Sequence, residues 1–358
     1  MSKHNIIESS KLTPDNPMLE MGDVEPRSFN GWEMQFSNNQ IELSIKHQMQ
    51  IADYAMRGLR NFLTTETTLA TERIGMPTAI ARVDCTIDRN GDIFAYEVEE
   101  RPSGLGIQTA ANEQFGDGEF GDDVRGHLEQ TFGQLPIVRI HPERIKTGKP
   151  GDDEFIFGPG MVGPIEYDGD RIIVEPRPTL VRAEPEHIIT APNVGELSAW
   201  SIATAVDKGR KDYRAAVNNA YVARGVEQLP PPDQSFVVKS LQSSKTNGVE
   251  IWISPADRAG MEMGKSPHGA ATRSKIERFV AEHPEGVLVE KFVPGIKTRY
   301  NDKGFVGTTA LRVFAKVFED HVETGDGVYM CRPSIMIHGA RDAITGYITS
   351  PERVAVYE

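Results

Sequence analysis

Asp84, Glu97 and Glu99 flank an Asn90-Gly91 dipeptide in the run Ala81-Arg-Val-Asp-Cys-Thr-Ile-Asp-Arg-Asn-Gly-Asp-Ile-Phe-Ala-Tyr-Glu-Val-Glu-Glu100, and acids so spaced can do chemistry. Asn-Gly favours a two-residue type I′ turn because both central positions take positive φ. With Arg89 facing Asp92 across that turn, Asp84 falls opposite Glu97 and Arg82 opposite Glu99. Side chains alternate along a strand, so these four share one face, while Val83, Cys85, Ile87, Phe94, Tyr96 and Val98 form an apolar surface on the other. A solvated charged face is the ordinary reading of such a hairpin. Directly opposed carboxylates repel by a few tenths to about 1 kcal/mol, and a cation between them removes that cost. Carboxylate oxygens suit Mg²⁺, which readily shares its coordination sphere with nucleotide phosphates. The expectation is a two-metal triphosphate site in which Glu97 bridges the ions between Asp84 and Glu99, and Arg82 meets the transferred phosphoryl group.

These side chains need a scaffold. Ile41, Ile45, Met49, Ile51, Tyr54, Ala55, Leu59 and Phe62 recur at helical spacing and predict an amphipathic helix from Gln40 to Leu63, with Gly58 its one weak former. Residues 1–38 hold no sustained period and are expected as an N-terminal tail or strap. Short apolar runs at Leu135–Ile140, Ile172–Val174 and Leu180–Val181, broken by Gly, Pro and Asp, predict small strands of an α/β unit. Ser198–Ala223 is expected to be helical, Phe236–Val238 and Gly286–Val293 to be strands, and Thr272–Glu282 a helix.

Composition bounds the partners. The 39 Lys and Arg against 52 Asp and Glu give a formal charge of −13, which argues against a nucleic acid or an anionic membrane as partner. Cys85 and Cys331 are the two cysteines, far apart and outside any Cys/His cluster, so a reducing cytoplasmic setting is expected. No apolar run of membrane-spanning length and no signal-peptide pattern is visible. The nine histidines are dispersed, and no Ser-His-Asp or Cys-His pattern offers a rival chemistry.

Arg82-Val-Asp84 followed by Glu97-Val-Glu99-Glu-Arg101-Pro102 and Ser103-Gly104-Leu105-Gly106 resembles the metal-binding hairpin of the ATP-grasp superfamily, which reads Arg-x-Asp and then Glu-x-Asn-x-Arg-Pro. Glu99 stands where that family usually has Asn. Ser235-Phe-Val-Val-Lys-Ser240 is similar to the family's phosphate-contacting strand, with Lys239 as its lysine. Leu241-Gln-Ser-Ser-Lys-Thr-Asn-Gly-Val249 resembles the small-residue loop over the triphosphate, which would place Ser243, Ser244 and Gly248 at the phosphates. Val287-Leu-Val-Glu-Lys-Phe-Val-Pro-Gly295 looks like the adenine hinge, with Glu290, Lys291 and Val293 at the nucleotide-contacting positions, although Ile296 and Lys297 follow where an acid usually holds the ribose. Arg312, in Ala310–Lys316, and Arg332, before Pro333, are candidate contacts for the phosphoryl group or the substrate carboxylate. Lys208, ahead of Lys211, is a candidate second phosphate lysine.

The metal hairpin precedes the nucleotide segments, an order similar to the circularly permuted ATP-grasp proteins that include glutathionylspermidine synthetases and eukaryotic glutathione synthetases. The resemblance implies an α/β (α+β) ATP-grasp fold with an inserted α/β substrate domain. Its parts would be residues 39–115 as the metal-binding half, 116–200 as the substrate domain and 201–358 as the nucleotide-binding half. It further implies an ATP-dependent ligase using two Mg²⁺ ions, with Mn²⁺ as a substitute, that joins a small carboxylate to an amine, amino acid or peptide, or alternatively to a thiol, through an acyl phosphate. A phosphotransferase acting on a hydroxyl and a non-catalytic MgATP-binding module remain as alternatives, and self-association is left open.

Overall fold

The computed structural model describes residues 4–7, 18–20, 23–29, 32–64, 80–88, 90–99, 108, 112, 119, 123, 127, 161–167, 172–176, 220–241, 248–260, 270–300, 305–318, 320–332 and 343–357. In chain order the elements are β1 (His4–Ile7), β2 (Met18–Glu20), β3 (Val24–Phe29), β4 (Trp32–Leu43), α1 (Ile45–Thr64), β5 (Ile80–Ile87), β6 (Ile93–Glu99), β7 (Met161–Tyr167), β8 (Ile172–Pro176) and β9 (Tyr221–Ala223). There follow β10 (Phe236–Ser240), β11 (Val249–Trp252), α2 (Pro255–Gly260), α3 (Arg273–Ala281), β12 (Val287–Lys291), β13 (Ile296–Tyr300), β14 (Phe305–Val317), β15 (His321–Arg332), β16 (Ile344–Thr349) and β17 (Ala355–Tyr357). Large sheets and few helices make this a mixed α/β fold. Among the described residues no helix is long and apolar enough to cross a membrane.

Two sheets carry the site. The larger has the order β1-β4-β16-β15-β14-β13-β2, with β5 and β6 branching from β14, β3 from β4 and β17 from β15. The smaller has the order β11-β10-β12-β9, and β7 and β8 pair apart from both. Strand pairing therefore groups β13–β17 with the acidic hairpin, whereas the sequence reading put all of 201–358 in one nucleotide-binding half. The stretch expected as a tail instead supplies β1 to β4. β4 pairs parallel with β16, Ile41 opposite Ile348, a partner too distant in sequence for local periodicity to announce.

Helix α1 starts later than expected. Ser44 caps it, the hydroxyl accepting from His47 N–H at 3.3 Å and the carbonyl from Gln48 N–H at 3.0 Å. Ile41 and Leu43 belong to β4, yet they enter the same core as the helical Ile51, Ala52, Ala55 and Met56, so the apolar pattern runs on across the boundary. That core lies between α1 and one face of the large sheet, which contributes Val83, Cys85, Ile93, Ala95, Val98, Leu311, Val313, Tyr329 and Ile348. At Gly58 the helix runs close to β6, where an added Cβ would meet Val98 Cβ at 2.9 Å. A glycine costs this helix about 1 kcal/mol of propensity and permits the contact.

In the small sheet β10 alternates buried and part-buried residues, while β12 is buried continuously from Val287 to Glu290, and α3 packs against the sheet. Thr272 caps α3 by accepting from Lys275 N–H at 3.2 Å, and Ile276 and Val280 join Phe236, Val238, Val287 and Val289 in a second core. Tyr221–Ala223, expected to end a helix, is the strand β9 paired with β12. Residues 198–219, 135–140 and 180–181 lie outside the described residues.

Candidate functional site

The hairpin pairs Arg82 with Glu99, Val83 with Val98 and Asp84 with Glu97. It reaches that register by two offsetting irregularities. Asp88 and Asp92 face each other, Asp88 N–H donating to Asp92 O at 2.8 Å, so the turn is one residue longer than the two-residue form. Gly91 sits at φ 77°, the left-handed region that favours glycine. Ile87 then pairs with Ile93 and Cys85 with Ala95, and a bulge between Asp84 and Cys85 leaves Tyr96 as the extra residue. As a result Ile93 and Ala95 face the core, and the expectation for Phe94 and Tyr96 is corrected: neither joins that cluster.

Helix α1 fixes this turn. Lys46 Nζ lies 2.7 Å from Asp92 Oδ1, Gln50 Nε2 donates to the same oxygen at 2.9 Å, and Gln50 Oε1 accepts from Ile93 N–H at 3.0 Å. Buried His47 donates from Nε2 to Gly91 O at 3.0 Å. The hydrogen bonds from Lys46 and then Gln50, with the Lys46 charge, hold the Asp92 carboxyl below the usual range against a smaller effect of burial. Sequence reasoning missed this set. The signal available was Lys46 and Gln50 four apart on one helical face.

On the charged face of the hairpin, Arg82 and Asp84 are buried. Arg82 is 2% exposed and Asp84 8%. Arg82 forks onto Asp84, Nε to Oδ1 at 2.6 Å and Nη2 to Oδ2 at 3.0 Å, and Arg312 Nε lies 3.4 Å from Asp84 Oδ2. β14 sets Arg312 in register with Asp84, so Glu97, Asp84 and Arg312 form one row across three strands. Glu97 is half-buried, and Glu99 holds the register position opposite Arg82. Arg332 ends β15 opposite Thr308, four residues along β14 from Arg312, or roughly 13 Å at about 3.3 Å per residue.

Lys239 joins the two sheets. Its ammonium lies 2.6 Å from Glu290 Oε2 and donates at 3.1 Å to the carbonyl of Tyr96, the bulged residue beside Glu97. A ladder residue would spend that carbonyl on a neighbouring strand, and the bulge makes it available. Lys239 and Glu290 are diagonal neighbours on paired strands, since Lys239 pairs with Leu288 and Glu290 with Val237. Glu290 is 3% exposed, and its Oε1 is buried with no hydrogen-bond partner among the described residues. Lys291 is exposed and Val293 buried on the way out of β12. Gly248, at φ 85°, closes the β10–β11 connection by accepting Ser240 N–H at 2.7 Å. The structure thus gathers Arg82, Asp84, Glu97, Arg312, Lys239 and Glu290 around the hairpin and β10. Ser243, Ser244 and Lys208 lie outside the described residues.

The donors suit Mg²⁺ in kind. Each Asp84 oxygen takes guanidinium contacts, and a carboxylate offers about four lone-pair sites, so acceptor capacity remains. Among the described residues no group of three His, Cys, Asp or Glu side chains is assembled for a metal, which leaves Asp84 and Glu97 as the pair, with Glu99 the next position on their face.

No family model matches the chain, and no curated protein matches its sequence. Among solved structures, a chain from Methylobacillus flagellatus KT, provisionally named a gamma-glutamylcysteine synthetase, is similar over 90% of this chain and 87% of its own, at 11% identity and a TM-score of 0.27. At that score the likeness carries no argument.

Proposed function

We propose that the chain is an ATP- and Mg²⁺-dependent carboxylate–amine ligase of the ATP-grasp kind. The observation that carries this reading is the Lys239 contact, which sets a strand lysine on the carbonyl next to Glu97, in the acid-bearing hairpin of a separate sheet. A nucleotide on the small sheet with its adenine along β12 would extend its phosphates past Lys239 toward Asp84 and Glu97. Glu290 Oε1 offers a buried acceptor on that path. Bound Mg²⁺, held by Asp84, Glu97 and Glu99, would neutralise the triphosphate and polarise the transferred phosphoryl group.

The chain's own residues would do the positioning. Lys239 gives a point charge for phosphate oxygens, and Arg82 and Arg312, pre-aligned by Asp84, offer fixed guanidinium donors where charge develops. Phosphoryl transfer asks for alignment and charge stabilisation more than for a protein nucleophile. The substrate carboxylate would attack the γ-phosphorus, releasing ADP, and the amine would then displace phosphate from the acyl phosphate to leave an amide. A screen of small carboxylates with amine acceptors, read by ADP and phosphate release and by product mass, tests this. A condensed product supports ligation. ADP release with a phosphorylated hydroxyl and no condensed product would replace the ligase with a phosphotransferase.

A further inference from the structure

Thr86 is a hydroxyl in a strand whose every residue is buried, and it is itself fully buried. It is two residues beyond Asp84 and four beyond Arg82, on their face of β5. Its Oγ1 accepts from Ile296 N–H at 3.3 Å and its O–H donates to Thr309 O at 3.3 Å. The Thr86 and Tyr96 side chains share a further hydrogen bond. A threonine hydroxyl offers one donor and two acceptor sites, and three partners surround this one.

The partners of this hydroxyl are informative. Ile296 opens β13 directly after the run from β12, and the chain there leaves the small sheet's core for the large one, where Ile296 is buried. The crossing is tight. A Cβ on Gly295 would meet Thr309 O at 2.7 Å and Thr86 Oγ1 at 3.3 Å. Tyr96 takes the second tie, its carbonyl receiving Lys239. Both described attachments of the small sheet to the acidic hairpin, the exit from β12 and the Lys239 contact, thus end on the Thr86–Tyr96 pair.

We propose that Thr86, acting through Tyr96 and Ile296, is a positioning residue that fixes the distance between the strand that takes the base and the acids that take the triphosphate. The inference rests on the nucleotide reading above and adds to it a determinant that touches no ligand. A ligand confined to the small sheet is insensitive to that distance. One that must reach both the small sheet and the hairpin is sensitive to it.

The test compares wild type, Thr86→Val, which keeps the shape and removes the hydroxyl, and Thr86→Ser, which restores it. Calorimetric titration of each with AMP and with MgATP should show the valine variant binding AMP within about twofold of wild type and MgATP at least tenfold more weakly. The serine variant should return MgATP binding to within about threefold. Hydrogen exchange on the nucleotide-free proteins should show the Ile296 amide exchanging faster in the valine variant alone. Equal weakening of AMP and MgATP, unchanged MgATP binding, or no rescue by serine would overturn the inference and leave the proposed function standing. A wild-type protein that binds neither nucleotide would overturn both, even with the Ile296 exchange as expected.

Discussion

Replacing Lys239 with methionine keeps most of the side-chain volume and removes its charge. The Glu290 carboxylate, 3% exposed, would then lose its 2.6 Å partner, and its Oε1 already has none among the described residues. Breaking a buried pair from one side costs about 3–5 kcal/mol, because an uncompensated charge stays in the interior. The lost hydrogen bond to Tyr96 O adds about 1 kcal/mol. Lys239→Met should therefore destabilise by about 4–6 kcal/mol at neutral pH. Adding Glu290→Gln should recover roughly half of that, since a neutral amide is far cheaper to bury than a carboxylate. Urea denaturation, followed by fluorescence and by hydrogen exchange of the β10 and β12 amides, measures both. Trp252 lies on β11 in register with Phe236 of β10 and gives a local probe of this sheet. A single variant that costs under about 1 kcal/mol, or a double variant whose loss equals the sum of the singles, would refute the buried pair.

Two further outcomes follow from the helix–hairpin contact. Gly58→Ala should destabilise by about 1–2 kcal/mol despite a helix-propensity gain of about 1, because the new Cβ would press on Val98 at 2.9 Å. Combining it with Val98→Ala should restore the propensity gain, as thermal unfolding of the four variants would show. Asp92→Asn removes the partner of Lys46 and Gln50, and the Asp92 side chain is 44% exposed, so screening limits the loss to about 0.2–1 kcal/mol. The folded pKa of Asp92 is depressed, so its contribution is present above the ordinary carboxylate range and is lost as pH falls through the folded value. The stability gap between wild type and Asp92→Asn should be full at pH 6 and close below about pH 4.

The acid row was legible in the sequence because alternation and an Asn-Gly turn constrain a hairpin strongly. The pairing of Asp84 with Glu97 follows from that count, yet the count assumed a turn one residue too short and missed the bulge that compensates. Bulges have no compositional mark of their own, so the swap that brings Ile93 and Ala95 to the core could not be read. Lys239 and Glu290 were each singled out, but not as partners, because their contact depends on the β10–β12 register across a long connection. The strands β1 to β4 were missed for a related reason: β4 finds its parallel partner β16 near the other end of the chain. The helix start was misplaced because Ile41 and Leu43 satisfy a helical period while serving the same core from a strand. Thr86 carried no signal, since a threonine in a β-branched strand is what propensity alone would put there.

The central claim is that Lys239 and the acids of the hairpin jointly hold the phosphates of a nucleotide through a divalent ion. Calorimetric titration of ATP into wild type and Glu97→Gln, each with and without Mg²⁺, tests it most directly. Mg²⁺ should tighten ATP binding to wild type by at least tenfold, and Glu97→Gln should abolish that gain while unfolding at the wild-type temperature. Binding that ignores Mg²⁺, or a Glu97→Gln variant that keeps the full Mg²⁺ gain, would contradict it.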